Sequence, residues 1–368
     1  MTNRVKNKLI ISNLVHRPVR SLLTILAIAV EVAMILSLVG VSYGTLDESA
    51  RRARGVGADI LVRPPGSSVI GLSMAPLSDK LLPLLLKVPH VTAGTGTLVQ
   101  PLSGLDTITG IDSEQFTAMS GGFRFVHGGP LQDEYDVIVD EYYAREHHVR
   151  VGDQLNLINR HWKVAGIFES GKLARLCVKL STLQSLTGSE HHLSQIFLKV
   201  EDPRRAPEIV HSLKQMLPDY PIYTMEEFTS LLTVSSVGLL KNFIGVVIGI
   251  ATAVGFIVVF MAMYTAVLER TRDIGILKAL GADSFLIVDL LFREATALAL
   301  VGSGLGILLT YGAQWIINNV LPNSLKQETV YRWWPIAAGV AVFGALIGSV
   351  LPAIKAAKKD PIEALAYE

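Results

Sequence analysis

The sequence predicts an α-helical membrane protein with four transmembrane helices and an α+β extracytoplasmic domain inserted between helices 1 and 2. Half of the 368 residues are hydrophobic and only 18% are charged, whereas about a quarter of the residues are charged in soluble domains. Four apolar segments are long enough to cross a bilayer, and residues 45–236 contain no such segment. An outer domain is therefore expected between the first and second apolar segments.

Residues 1–20 are basic and predict a cytoplasmic amphipathic helix at the membrane surface. They contain five Lys or Arg residues and no acidic residue, and apolar residues recur at helical spacing from Leu9 to Val15. Residues 21–43 follow and are apolar apart from Glu31. This run is too long for a signal-peptide core, so it predicts an uncleaved first span. The basic residues before it place the N-terminus in the cytoplasm.

Residues 45–236 predict a folded domain that is large enough to bury its own core. Short segments in which apolar and polar residues alternate predict strands, and segments with helical periodicity predict helices. The mixture is typical of an α+β domain. The predicted strands are 59–62, 97–102, 107–111, 136–140, 154–158, 162–168, 196–200 and 220–223, and the predicted helices are 46–54, 78–87, 141–147 and 205–216.

The rest of the chain alternates between apolar and polar segments. Lys and Arg concentrate at the two termini and in the connection at residues 268–283, so the positive-inside rule places these parts in the cytoplasm. Trp333 and Trp334 suit the membrane–water interface at the start of the last run. The expected order is span 242–267, cytoplasmic coupling helix 268–283, span 285–311, outer loop 318–332, span 333–350 and cytoplasmic tail 352–368.

The connection at residues 268–283 predicts a short amphipathic helix with a face available for docking. Ile274, Leu277 and Leu280 are three residues apart and share one helical face. Gly281 stands where a helix stop is expected. The spacing alone leaves open the alternative of a solvated connector. The charged residues of this segment are Glu269, Arg270, Arg272, Asp273 and Lys278.

Three of the apolar segments carry pairs of glycines four residues apart. Such pairs let helix backbones approach closely in lipid, where burial from water does not drive association. They predict tight helix packing, within or between subunits, against the alternative of ordinary glycine enrichment in membrane helices. The pairs are Gly245 and Gly249, Gly302 and Gly306, and Gly344 and Gly348.

Glu31 lies near the middle of the first span, and Glu294 lies at the start of the third. A carboxylate inside the membrane is costly unless it faces protein, water or a cation, so Glu31 is a candidate contact for a substrate or an ion. The alternative is a protonated side chain, or one that bonds to a neighbouring helix. Asp289 and Arg293 are four apart and predict an ion pair on one helix face.

Signals for chemistry in the chain itself are weak. The segment from Gly166 to Lys172 begins like a phosphate-binding loop, but Leu173 stands where the magnesium-binding hydroxyl would be. The two adjacent histidine pairs, 147–148 and 191–192, do not share a face, so no metal site is predicted. Cys177 is the single cysteine, which excludes an intrachain disulfide. No catalytic residue is predicted, and the net charge of +1 gives no reason to expect nucleic acid.

The run R-T-R-D-I-G-I-L-K-A-L-G-A, from Arg270 to Ala282, closely resembles the cytoplasmic loop of the FtsX-like (MacB-type) ABC transporter permeases. The segment from Val137 to Phe168 resembles the extracytoplasmic core domain of that family. The run E-A-T-A-L-A-L-V-G-S-G-L-G resembles its third span, and P-A-I-K-A-A-K-K-D-P-I-E-A-L resembles its C-terminal signature. Ala366 and Tyr367 depart from the basic residue that commonly follows this signature.

The resemblance implies the permease subunit of an ABC transporter in the bacterial inner (plasma) membrane, surrounded by lipid. Two copies would pair with two copies of a separate ATPase, which would bind ATP and magnesium, and this chain would hold no cofactor. Closure of the ATPases would push on residues 268–283, and the spans would carry that motion outward. The apolar residues of the coupling helix would fill the ATPase groove, and the flanking charges would set its orientation.

Members of this family export or extract varied substrates, often with a periplasmic adaptor and an outer-membrane channel, and nothing in the sequence selects one. A second hypothesis is a non-transporting subunit that transmits a signal to an extracytoplasmic partner such as a cell-wall hydrolase. A third, a membrane-anchored enzyme, is disfavoured because no catalytic constellation is found.

Overall fold

The computed structural model describes residues 18–67, 76–102, 106–233, 238–319 and 327–358. The chain divides into two compact units. The membrane unit comprises residues 1–42, 239–317 and 327–368, and the outer unit comprises residues 43–238 and 318–326. The predicted N-terminal helix therefore lies outside the described residues except for its last three positions, as do residues 320–326 of the predicted outer loop and the tail beyond residue 358.

The helices and strands of the described residues follow in chain order. The helices are α1 (Pro18–Gly55), α2 (Leu81–Leu85), α3 (Ser113–Ser120), α4 (Glu141–Glu146), α5 (Leu180–Thr187), α6 (Ala206–Met216), α7 (Met225–Leu231), α8 (Gly238–Glu269), α9 (Thr271–Ala279), α10 (Ser284–Asn319) and α11 (Trp334–Lys358). The strands are β1 (Ile60–Val62), β2 (Leu77–Ser78), β3 (Val91–Pro101), β4 (Thr107–Ile111), β5 (Phe125–Gly128), β6 (Asp136–Asp140), β7 (Gln154–Leu157), β8 (Arg160–Phe168), β9 (Leu176–Lys179), β10 (His192–Leu193), β11 (Gln195–Val200) and β12 (Ile222–Thr224). Two 3₁₀ turns, Pro203–Arg205 and Tyr331–Trp333, precede α6 and α11.

Helix α1 is one continuous helix of 38 residues. The sequence predicted a span at residues 21–43 and a separate helix at 46–54, and the structure joins them. No proline follows Pro18 in this helix, so no backbone donor is lost along it. Beyond the apolar run, ion pairs between residues four apart support the helix, as between Arg51 and Asp47 at 3.0 Å.

Within the described residues, three helical stretches are long and apolar enough to span a membrane, namely Pro18–Gly55, Leu240–Glu269 and Tyr331–Lys358. They contain three of the four predicted spans. The predicted third span lies in α10, a helix of 36 residues. The count of four spans stays a prediction.

The core of the membrane unit is rich in alanine. Small side chains bring helix backbones close together, which is how helices associate where all surroundings are apolar. Larger residues from α1 and α8, such as Ile28, Val32 and Val259, complete this core. The buried alanines are Ala251, Ala295, Ala299, Ala337, Ala341, Ala345, Ala353 and Ala356.

The outer unit is built on a ten-stranded mixed sheet, which makes it an α+β domain. Nine strands follow the order β12-β1-β11-β3-β4-β9-β6-β8-β5, and β7 pairs with β8. The pairs β4–β9 and β6–β8 are parallel, and the other pairs are antiparallel. Strands β2 and β10 form a separate two-stranded sheet.

The eight predicted strands of the outer unit are all present, with ends shifted by up to six residues. The structure adds four strands, β2, β5, β9 and β10, and three short helices, α3, α5 and α7. Strand β9 is buried along most of its length, so its sequence does not alternate between apolar and polar residues. The three helices have eight or fewer residues, too few for a helical period to stand out.

Candidate functional site

Helix α9 is a short helix set between α8 and α10. Arg270 alone separates it from α8 and leaves the helical conformation, with φ −107° and ψ 19°. At its other end, the Ala282 amide donates to the Leu277 carbonyl at 2.9 Å, and the Gly281 amide donates to the Lys278 carbonyl at 3.0 Å. This pair of bonds caps the last turn and requires a left-handed residue, which Gly281 supplies with φ +87°. The helix thus ends where the sequence predicted.

The face that α9 turns outward differs from the predicted one. Ile274 is only 9% exposed and belongs to the core of the membrane unit, and Leu277 is half-buried. Leu280, the third residue of the predicted face, is 80% exposed. Successive residues rotate by about 100° in a helix, so Ile276 lies on the same outward side as Leu280, four residues later. The predicted apolar face is therefore divided between the core and the surface.

The exposed surface of α9, hereafter the outer face of α9, is mixed in character. Its apolar residues are Ile276 and Leu280, and its charged residues are Arg272 and Asp273. Residues 272, 276 and 280 are four apart and so lie in one row along the helix. This arrangement offers two apolar contacts with charges at one end.

The opposite side of α9 is attached to the end of α11. The Lys278 ammonium group donates to the Ala357 carbonyl at 2.8 Å, and the Ser284 hydroxyl donates to the same carbonyl at 3.1 Å. A lysine is well suited to this place, because the last carbonyls of a helix lack partners within the helix. The sequence listed Lys278 among the charges that flank a docking face, and the structure places it in a contact within the chain.

Four charged residues, hereafter the ion cluster, join α1, α8 and α10 at the same end of the membrane unit. They are Arg20, Glu269, Arg270 and Glu294. Glu294 is the buried member, with its side chain 3% exposed, and Arg270 approaches it to 3.0 Å. Arg20 lies 3.7 Å from Glu294 and 3.1 Å from Glu269. The sequence assigned Glu269 and Arg270 to docking and did not foresee the pairing with Arg20.

A second pair on α10 is simpler. The Arg293 guanidinium donates to the Asp289 carboxylate at 3.0 Å, which confirms the ion pair predicted from their spacing. Both side chains are partly exposed, so the pair contributes only about 0.3–0.5 kcal/mol. It supports the helix locally.

Glu31 faces α8 of its own chain. Its side chain is buried, and its Oε1 atom has no hydrogen-bond partner within the described part of the chain. The space that its carboxylate occupies is the space that a side chain at Gly255 would fill, because a Cβ built there would lie 2.0 Å from Glu31 Oε2. The structure places the carboxylate beside Gly255, and a contact with a substrate or an ion stays a prediction.

The three glycine pairs differ in their surroundings. Gly302 and Gly306 of α10 pack against α1, where an added Cβ would come within 2.8 Å of Ile28 and 2.7 Å of Val32. Gly344 and Gly348 of α11 face α8 in the same way, with Gly348 approaching the Phe256 carbonyl. Gly245 and Gly249 of α8 have nothing within 4 Å of an added Cβ. Two pairs therefore serve contacts inside the subunit, and the third pair lies on an open face.

The outer end of α1 packs closely on the loop after β8. The Leu173 amide donates to the Arg52 carbonyl at 3.1 Å, and the backbone at Gly55 approaches Gly171 so closely that an added Cβ would clash with its carbonyl. Arg52 also lies 3.8 Å from Asp140. Burial raises the pKa of Asp140, and the Tyr143 amide and Arg52 offset part of that rise.

The other candidates in the outer unit have structural surroundings. Lys172 donates to the carbonyls of Ser120 and Gly122, and burial lowers its pKa, so its ammonium group is occupied by the backbone. His191 lies 2.9 Å from Asp79. Among the described residues there is no cluster of three or more His, Cys, Asp or Glu that could hold a metal. Cys177 is fully buried, and burial raises the pKa of its thiol.

Two family models match the chain. The model of the MacB-like periplasmic core domain matches residues 21–216, and the model of the FtsX-like permease C-terminal region matches residues 245–361. Together they include most of α1, most of the outer unit, α9 and the ion cluster apart from Arg20.

Several relatives are known by sequence. An ABC transporter permease of Methanocaldococcus jannaschii is 25% identical over 392 residues, which cover 97% of this chain and 96% of that protein. The permease YknZ of Bacillus subtilis is 31% identical over 229 residues, which cover 59% of this chain and 55% of that protein. The macrolide export ATP-binding/permease protein MacB of Escherichia coli is 26% identical, over 96% of this chain and 59% of that protein. The chain thus spans little more than half the length of YknZ and MacB.

Solved structures of outer regions are also similar. The periplasmic region of MacB from Actinobacillus actinomycetemcomitans is 16% identical, with a TM-score of 0.39 over 49% of this chain and 94% of that region. The assignment rests on the family models, one of which covers more than half of the chain. The chain is a membrane permease that belongs to the FtsX-like, MacB-type family of ABC transporter permeases.

Proposed function

We propose that the chain is the permease subunit of an ABC transporter, that a separate ATPase subunit docks on the outer face of α9, and that ATP hydrolysis there drives export or extraction of a substrate. The observation that carries the proposal is the division of α9 into two sides. One side is attached to the rest of the membrane unit, and the other presents Ile276 and Leu280 to the surroundings. Neighbouring exposed apolar residues beside charged ones are a feature of interaction surfaces.

The topology that this function requires has four spans with both termini in the cytoplasm of a bacterial inner membrane. Helix α10 supplies the third span, since residues 295–317 contain no charged side chain. Arg20, Arg270, Arg272 and Lys278 then lie on the cytoplasmic side, in agreement with the positive-inside rule. The outer unit lies on the opposite side of the membrane.

The path of force begins at α9. Because the Lys278 ammonium group holds the end of α11 and the ion cluster holds α1, α8 and α10, a push on the outer face displaces the ends of all four long helices. Helix α1 continues without a break to Gly55, where its last turns are bonded to the outer domain. It is therefore the element through which motion would reach that domain.

The assembly follows from the same proposal. Two copies of the permease pair with two ATPase subunits, and the ATPases bind ATP and magnesium while this chain holds no cofactor. The open pair Gly245 and Gly249 on α8 suits contact with the second copy. As the family resemblance implies, a periplasmic adaptor and an outer-membrane channel complete the route across the envelope.

The docking surface can be tested with charges placed on it. The double variant Ile276→Asp/Leu280→Asp should lose its ATPase, because burying one such apolar side chain contributes about 1.5–3 kcal/mol. Each lost contact weakens binding by about tenfold or more. The measurement is recovery of an ABC ATPase with the tagged permease from native membranes, followed by mass spectrometry.

Val151→Asp is the matched control. Val151 and Ile276 are each 42% exposed, and Val151 lies in the outer unit. The control should recover the ATPase as the unmodified chain does. Equal recovery with the double variant would refute docking at this face.

A further inference from the structure

Glu31 sits in a fitted space between α1 and α8. Glu31 is 6% exposed, and its Oε1 atom lacks a hydrogen-bond partner among the described residues. Gly255, which has no side chain, leaves room for the carboxyl group. Any side chain at position 255 would take that room, since an added Cβ would lie 2.0 Å from Oε2. The two helices are therefore shaped around this one polar group.

No side chain on the apolar segments can neutralise a charge at Glu31. Residues 21–42, 242–268, 295–317 and 333–354 contain no Lys, Arg or His and no acidic residue except Glu31 itself. Their ionisable side chains are otherwise Tyr264 and Tyr311. Arg20, at the end of α1, is 11 residues away, or about 16 Å along a helix. The ion cluster to which it belongs is the nearest group of charged residues on α1.

A buried carboxylate with neither a cation nor water beside it is strongly disfavoured, and such a group takes up a proton instead. We infer that Glu31 and the space at Gly255 form a proton-binding site at the contact between α1 and α8. The bound proton makes the side chain a neutral carboxylic acid. That acid can donate a hydrogen bond to the backbone of the facing helix, as a carboxylate cannot.

A metal ion fits this place less well than a proton. Calcium takes about six to eight oxygen ligands and magnesium about six, and the described residues supply no group of three or more carboxylate, histidine or cysteine ligands anywhere. The threonine nearest Gly255 on the preceding turn, Thr252, gives its hydroxyl to the Ile248 carbonyl. A single proton needs only the carboxyl group itself.

Protonation of Glu31 would then depend on the packing of α1 against α8. While α1 and α8 stay in contact, the acid keeps its proton. If the helices separate and water reaches the carboxyl group, its O–H bond can break, and the proton passes to water and leaves a carboxylate on Glu31. Loss of the proton then opposes closure, because the charged group would have to re-enter the apolar contact.

Infrared difference spectroscopy of the full chain in lipid nanodiscs tests the inference. At pH 7 the unmodified chain should show the carbonyl-stretch band of a protonated carboxyl group, and Glu31→Gln should lose that band. Asp140 is another buried acid whose pKa is raised, so the difference between the two spectra isolates Glu31. A difference spectrum that instead loses the paired bands of an ionised carboxylate would overturn the inference.

Two glycine variants test the inference even if Glu31→Gln does not fold. Gly255→Ala fills the space and should shift or abolish the Glu31 band. Gly312→Ala lies inside α10, has open space around it and should leave the band unchanged. If Gly255→Ala also left the band unchanged, the space at Gly255 would not be what holds the acid. No ATPase is present in these samples, so the outcome is separate from that of the docking test.

Discussion

At the scale of single residues, the structure distinguishes two acids on α10 that look alike in sequence. Glu294 and Asp289 each lie 3.0 Å from an arginine, but Glu294 is buried and receives Arg270 from a different element. Removing a partner from a buried ion pair costs about 3–5 kcal/mol, because the remaining charge is left uncompensated. Removing a partner from an exposed pair costs about 0.3–0.5 kcal/mol.

We therefore expect Glu294→Ala to lower the thermal unfolding midpoint of the purified chain far more than Asp289→Ala does. Tryptophan fluorescence during heating in one detergent measures both variants, and the unmodified chain is the reference. Similar losses in the two variants would mean that burial adds nothing to the ion cluster.

Residue roles were the part of the site that the sequence predicted least well. The spacing of Ile274, Leu277 and Leu280 correctly places them near one another on a helix but carries no information about which side meets the neighbouring helices. The pairing of Arg20 with Glu269 requires the start of α1 to lie beside the end of α8. The two residues are 249 positions apart in the chain. The pairing of Asp289 with Arg293 was predictable because it needs only one helix.

At the scale of elements, α9 depends on its C-terminal cap. Gly281 has φ +87°, a conformation that costs other residues about 1–2 kcal/mol. We expect Gly281→Ala to loosen the last turn and to speed hydrogen exchange at the Ala282 amide, which is bonded to Leu277. Hydrogen-exchange mass spectrometry of the peptide that contains residues 277–283 measures this change.

Gly312→Ala, in α10, is the comparison for this element. It replaces a glycine inside a helix with open space around it, where alanine favours the helix by about 0.5–1 kcal/mol. Exchange in α9 should be unaffected by it. If Gly281→Ala left exchange at Ala282 unchanged, the cap would contribute little to the shape of α9.

Elements with a strong local pattern were predictable, and those fixed by their surroundings were not. Helix α6 carries a clear helical period and was predicted within one residue. Strand β9 lies inside the sheet between β4 and β6, so its burial comes from its neighbours. The union of a span and a polar helix into α1 was missed because the boundary was drawn where hydrophobicity ended, although nothing there stops a helix.

At the scale of the whole molecule, the sequence alone predicted a membrane protein with a folded outer domain. The long apolar runs are visible in the sequence, and so is the long segment between the first two runs that contains none. The order of ten strands was beyond prediction, since pairs such as β1–β11 join residues about 140 positions apart. The number of spans depends on α10, whose apolar stretch contains serine, threonine and four glycines, and these residues lower its mean hydropathy. The predicted topology depends on whether α10 crosses the membrane.

Cysteine labelling can determine whether α10 crosses the membrane. Asp283 is exposed just before α10, and Tyr331 is 65% exposed just before α11. Among the described residues, α10 is the long helix between them. The native Cys177 is buried and its pKa is raised, so it adds little background. If α10 spans, Tyr331→Cys should react with an impermeant maleimide in intact spheroplasts, and Asp283→Cys should react only after the membrane is opened, since thiolates on the inner side are out of reach. Labelling of both sites in intact spheroplasts, or of neither, would remove the third span and with it the cytoplasmic position of α9.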